Sequence, residues 1–397
     1  MKIFKKNELQ YLGLFYLSSF ISSLFAMIGP YLILYFLGLG LSYFKISIIV
    51  SSLGISVFVF ELPTGAMADG VSRKYSVVLG FFIMALATAL MPFAKDFSWI
   101  LVAWVFVGLG MTFISGAQTA WVIDNLNEKE RSDLTHEYFV KSSSASALGA
   151  VFAPILGTVV VKYYSMDALW FAFGTGAFLC TILLLVFTKE YYKPQKIKMA
   201  NLFSETYNIS KSGLQFTFTN RTVLLLIIAD LFVGLMLFGN AGEQPFLVSL
   251  GMAEYQLGYM YTIIAVVGLA TPFLSKLFVD FKPKHVISFV ILGRMILFLS
   301  LLFIYPPYSL MAAVLIITRN GLYSFVGPIS GKYFNKFILK GNRATIISIK
   351  SMISQLITGV CALAAGTFLD MFGPQKVLAL GSLFGIVALV LYQKIKD

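Results

Sequence analysis

Twelve apolar stretches of about twenty residues or more, separated by short polar loops, constrain this chain more than any other feature. They run at about 10–37, 45–68, 75–94, 98–123, 137–163, 167–188, 222–249, 256–279, 284–304, 308–331, 345–369 and 375–394. A helix rises about 1.5 Å per residue, so about twenty residues cross the roughly 30 Å of bilayer hydrocarbon. Within lipid every backbone polar group needs a partner from the chain itself, and a helix supplies one. Composition agrees: 58% of the residues are hydrophobic and 12% charged, against about 45–50% apolar and about 25% charged in soluble domains. The expected fold class is an all-α membrane protein with 12 transmembrane helices. The first span starts within ten residues of Met1 and exceeds the apolar core of a signal peptide, so it reads as a retained helix.

A net charge of +12 raises the question of nucleic acid, and the placement of the charges answers it. With the N-terminus inside, only Lys45, Lys95, Lys162 and Lys376 fall in external loops. The basic residues otherwise gather on the inner side, which is the topology rule for membrane helices rather than a nucleic-acid footprint. Both termini, MKIFKK and QKIKD, are then cytoplasmic. Cys180 and Cys361 lie inside apolar stretches and support neither a disulfide framework nor a metal site. His136 and His285 sit at cytoplasmic edges with no nucleophile motif, so no enzyme is read here. No Walker-type phosphate loop is present either, which excludes direct coupling to ATP. No cofactor and no metal are expected.

The longest polar stretch, 189–221, is basic and divides the spans six and six. The expected organisation is a six-helix bundle over 1–188, a cytoplasmic linker over 189–221 and a second bundle over 222–397. Within the linker, LFSETYNISKSGLQFTF has the pattern of a short amphipathic helix on the membrane surface; a plain connector is the alternative. The two halves repeat. KSSSASALGAVFAPILGT at 141–158 and KSMISQLITGVCALAAGT at 350–367 place Lys-Ser and Gly-Thr at identical spacing, 209 residues apart. Small residues fill both, which lets helices approach closely. Parallel six-span halves are an architecture of transporters.

Between spans two and three stands Gly65-x-Met67-Ala68-Asp69-x-x-Ser72-Arg73-Lys74. It resembles the loop signature of the major facilitator superfamily, Gly-x-Leu-Ala-Asp-Arg-x-Gly-Arg-Lys, and sits where that family has it. Met67, Gly70 and Ser72 depart from the pattern, and Gly70 removes one basic partner. The resemblance implies two pseudo-symmetric six-helix bundles and a conformational latch made of Gly65, Asp69, Arg73, Lys74 and Asp124. In it Gly65 admits a neighbouring helix, Asp69 meets the N-terminus of span eleven, and Arg73 pairs with Asp124. A tight charged turn is the plainer reading. VDFKPKH at 279–285 is a weak second copy with Asp280, Lys282 and Lys284. In span five, Gly149, Pro154 and Gly157 resemble the family's antiporter motif, with Ala153 in place of its first Gly; this tilts the reading towards export.

Ionisable residues within spans cost about 2.5–3.5 kcal/mol each at mid-membrane, so retained ones face the interior. Glu61, beside Pro63, and Asp230 in LLLIIADLFVGLM are the proton-coupling candidates; each has a structural role as its alternative. Asp230 lies at a depth similar to Arg294 and Arg319, which points to a buried charge cluster or a substrate anchor. Asn240, Glu243 and Gln244 line a polar vestibule or mark an unwound helix end beside Pro245. Lys141 and Lys350, nearer the ends of their spans, can snorkel.

Together these readings give a monomeric secondary transporter of a prokaryotic plasma membrane, surrounded by membrane lipids. It would export a small-molecule substrate, amphipathic or hydrophobic, in exchange for protons. Proton-coupled import of a small polar metabolite and lipid flipping on the same scaffold are the alternatives.

Overall fold

Every regular element of the computed structural model is helical, and the model describes residues 4–191, 219–278, 280–338 and 343–395. The amphipathic segment expected within the linker lies outside the described residues, as does Val279 of the second motif-like stretch. Among the described residues twelve helical stretches are long and apolar enough to cross a membrane. In the first half these are α1 (Glu8–Leu24) with α2 (Leu32–Gly38), α3 (Tyr43–Gly70), α4 (Arg73–Leu90), α5 (Phe97–Ile114) with α6 (Ala117–Glu128), α7 (Thr135–Tyr163) and α8 (Met166–Phe187). The second half holds α9 (Arg221–Leu235) with α10 (Glu243–Ser249), α11 (Gln256–Leu274), α12 (Pro283–Ser300), α13 (Ser309–Lys336), α14 (Arg343–Phe372) and α15 (Pro374–Lys394).

Three spans are interrupted where a continuous helix would be read from hydropathy. The first and seventh break at matching places, each through a 3₁₀ turn, Gly29–Tyr31 and Asn240–Gly242. The seventh breaks at Gly239, whose φ is +78°, and Pro245 falls inside α10 rather than causing the break. A Cβ at Gly239 would also lie 2.6 Å from Val377 Cγ1, so only glycine meets both demands. Span four breaks at Gly116, φ +64°. Conversely, Pro63, Pro154, Pro272 and Pro328 sit inside helices that continue through them, as membrane helices tolerate.

Large side chains such as Phe289, Phe303 and Leu310 are exposed. An outer surface of this kind suits hydrocarbon, not water. The chain divides into two compact units. One takes the chain up to Tyr35, then Ile48 through the end of α8, and Tyr255–Thr262. Its core packs Leu12, Phe15, Val77, Phe81, Trp121 and Leu184, with Phe15 edge-on to Trp121 at 5.0 Å. Tyr255–Thr262 joins it because the Tyr31 and Thr158 hydroxyls both donate to the Tyr255 carbonyl, at 3.3 and 3.0 Å.

The other unit holds Phe36–Ser47, α9 and α10 as far as Glu254, and the chain from Ile263 onward. Leu226, Met236, Ile291, Phe298, Ile346 and Tyr392 form its core. Phe36–Ser47 belongs there because the Asp370 carboxylate accepts the N–H groups of Tyr43 and Phe44, both at 2.9 Å. Those are first-turn donors of α3, which have no partner within their own helix.

Candidate functional site

The turn between α3 and α4 brings together the charges singled out in the motif. Arg73 donates to Asp69 one turn earlier, at 3.1 Å, and to Asp124 on α6. Ser72 caps α4: its hydroxyl accepts from Tyr75 N at 3.1 Å and donates to Glu190. Glu190 in turn accepts the backbone N–H of Arg73 at 2.8 Å, so a carboxylate faces the positive end of the α4 dipole. Lys74 reaches the carbonyls ending α8, Leu185 at 2.8 Å and Thr188 at 2.7 Å. The departure from the family pattern at Ser72 therefore has a local use as a helix cap. A Cβ at Gly65 would meet nothing within 4 Å, so close packing at that glycine is not seen. Sequence reading missed Glu190, because hydropathy placed it in the linker.

In the same unit α1 and α7 are zipped together. Ser19 bonds Ser142 at 2.7 Å and Ser23 bonds Ser146 at 2.6 Å. Gly149 lets the backbones touch, since a Cβ there would lie 2.6 Å from Phe20 O. Gly157 lies against Tyr31 and Met27 in the same way. One end of this seam is closed by charge. Lys141 Nζ binds both oxygens of Glu8, at 2.6 and 2.8 Å, and Glu137 at 3.1 Å. Glu8 also accepts from Tyr16 at 3.1 Å, and its side chain has no exposure. Lys141 is thus paired inward instead of snorkelling, because a carboxylate on α1 lies within reach.

Beside the seam lies a cavity of about 670 Å³. Hydroxyls of α1 and α7, with Gln118 and Ser115, form its polar side, and Phe81, Met84, Met111 and Ile114 its apolar side. Among the described residues no ionisable side chain lines it. Glu61 is exposed on α3.

Asp230, in the other unit, accepts from Lys350 Nζ and the Tyr392 hydroxyl and from Ser330 at 3.3 Å. It is not joined to the two arginines that share its depth. Arg319 instead pairs with Glu243 and reaches Asn240 at 3.1 Å, with Phe298 4.7 Å beneath its guanidinium. Glu243 and Gln244 are buried while Asn240 is exposed, so the break in span seven presents a carboxylate to α13. Arg294 is 1% exposed and stacks on Tyr323 at 4.9 Å.

Exposed apolar outer faces and, among the described residues, twelve helical stretches long enough to cross a bilayer define a polytopic α-helical membrane protein. The chain belongs to the Major Facilitator Superfamily, whose profile matches residues 14–360, and it is accordingly a secondary transporter of small molecules. It is 24% identical over 387 residues to the uncharacterized MFS-type transporter YxaM of Bacillus subtilis (strain 168), covering 93% of this chain and 92% of that one. Over 312 residues it is 22% identical to the multi-drug resistance efflux pump PmrA homolog of Lactococcus lactis subsp. lactis (strain IL1403), covering 73% and 71%. Among solved structures, the nucleoside transporter NupG superposes with a TM-score of 0.75 at 16% identity, covering 98% and 99% of the two chains. That likeness is one of fold.

Proposed function

We propose that this transporter expels small amphipathic or hydrophobic compounds in exchange for protons. The observation that carries the reading is the cavity beside α1 and α7, with hydroxyls on one side, Phe, Met and Ile on the other, and, among the described residues, no ionisable group in its lining. Such a lining recognises a mostly apolar molecule bearing a few hydrogen-bonding groups, as small-molecule pockets generally do. The relative named as a multidrug efflux pump supports the direction. For the proton, Asp230 is the favoured carrier, since protonation removes the charge that holds Lys350; Glu61 is the second. Arg73, Asp69, Lys74 and Asp124 act as the latch that alternates with transport.

Reconstitution in proteoliposomes with an imposed pH gradient tests the reading. A cationic or neutral fluorescent dye should be driven against the direction of proton flow. Movement of dye or of a nucleoside or sugar in the same direction as the protons would overturn exchange in favour of proton-coupled import.

A further inference from the structure

Among its described residues the second unit holds a buried positive charge that no carboxylate there pairs with. Arg294 and Arg319 are each 1% exposed, and the Arg319 guanidinium lies 4.7 Å from Phe298, one turn along α12 from Arg294. Glu243 serves Arg319. Nε, Nη1 and Nη2 of Arg294, and Nε and Nη1 of Arg319, have no hydrogen-bond acceptor among the described residues. A guanidinium does not give up its proton in a protein, and burying it unpaired costs several kcal/mol. Most buried polar groups in native proteins are satisfied, so five orphaned donors on two neighbouring guanidinium groups point to an acceptor supplied from outside the chain. The contact that Arg294 does make is to the face of Tyr323. That residue is itself 44% exposed, so the guanidinium face it covers lies one side chain away from the surface.

We infer that Arg294, flanked by Arg319 and covered by Tyr323, is a binding site for a singly charged anion. The chemistry it recognises is the carboxylate of a small apolar organic acid, or chloride, since Tyr323 and Phe298 flank the guanidinium groups. A carboxylate matches the planar fork of a guanidinium with two parallel hydrogen bonds. The inference does not depend on proton exchange or on export.

Thermal unfolding of the purified full chain in detergent, in low-chloride buffer, tests the inference. Sodium chloride, sodium benzoate and the bulky sodium gluconate are titrated at matched ionic strength. We expect a saturable rise in Tm of about 2 °C or more with chloride or benzoate but not gluconate, and its loss in Arg294→Met. A rise with chloride alone assigns an inorganic-anion site, and one with benzoate alone an organic carboxylate site. Should Arg294→Met not fold, Tyr323→Ala keeps the guanidinium and removes its cover. That variant should lower the half-saturating concentration about threefold, the order of one cation–π contact. A Tm that responds to none of the salts, or equally to all three, overturns the inference. So does an unchanged response in Arg294→Met, or an unchanged half-saturating concentration in Tyr323→Ala.

Discussion

Lys141 and Lys350 stand 209 residues apart at matched places of the internal repeat, and each ammonium binds a carboxylate on the first helix of its own half, Glu8 or Asp230. A phenol completes both groups, Tyr16 in one and Tyr392 in the other. The two differ in what surrounds them. Glu8 is also tied to the Lys5 backbone N–H at 2.8 Å, and its seam is zipped by two serine pairs. Asp230 and Lys350 hold α9 to α14 where Leu356 and Val360 of α14 are exposed. Neutralising Asp230 would release the Lys350 ammonium, which is the ground on which Asp230 is proposed as the proton carrier.

Asp230→Asn should consequently abolish the pH dependence of transport, with proton-driven accumulation falling about tenfold or more while binding persists. Lys141→Gln should instead lower stability through an uncompensated buried Glu8 and leave the pH profile in place. Dye accumulation across a pH ramp, paired with unfolding temperatures, separates the two. A pH profile in Asp230→Asn that matches the unsubstituted protein would remove Asp230 from coupling.

The Arg319–Glu243 pair is almost wholly buried, with side-chain exposures of 2% and 3%. Glu243→Gln should cost about 3–5 kcal/mol, because it adds a second unpaired guanidinium beside Arg294. The double change Glu243→Leu with Arg319→Leu should recover most of that loss. Chemical or thermal unfolding of the three proteins measures the difference.

At the motif turn, Glu190→Gln and Ser72→Ala each remove a partner from the first turn of α4. A loss of about 1 kcal/mol is expected for the cap. Asp124→Asn removes the carboxylate that Arg73 binds on α6 and should shift the balance between inward- and outward-open states. Labelling of single cysteines placed at either end of the bundle reads that shift, and equal labelling would refute the latch.

Packing of α1 on α7 rests on Gly149. Gly149→Val forces a side chain against Phe20 O, Leu24 N and Ser23 Cβ, all under 3.0 Å from the new Cβ. Destabilisation of about 1–3 kcal/mol should follow. Gly65→Ala meets open space and should cost less than about 1 kcal/mol. Comparing the unfolding temperatures of the two variants checks the contrast.

Much of this was legible before any tertiary information. Spans, their number and the motif at Asp69–Lys74 could be read because hydropathy averages over a whole helix and the motif is local in sequence. The Arg73–Asp124 contact followed from the family resemblance. Glu8 was overlooked as a carboxylate at the edge of the first span, although the repeat-matched lysine was a usable signal for it. Asp230 was grouped with Arg294 and Arg319 because all three share a depth, and depth was all that counting residues along a span could yield.

By itself the sequence determined the environment, the helical class and the family, since those rest on composition, length and a short contiguous motif. Tertiary structure alone decided which acid meets which base: Glu8 with Lys141, Asp230 with Lys350, Glu243 with Arg319, and, among the described residues, no acid for Arg294. Each residue turns the helix by about 100°, so a small change in where a helix starts or breaks redirects every side chain after it. The positive-φ break at Gly239 is such a place, and the facing of Glu243 towards Arg319 depends on how the helices then pack.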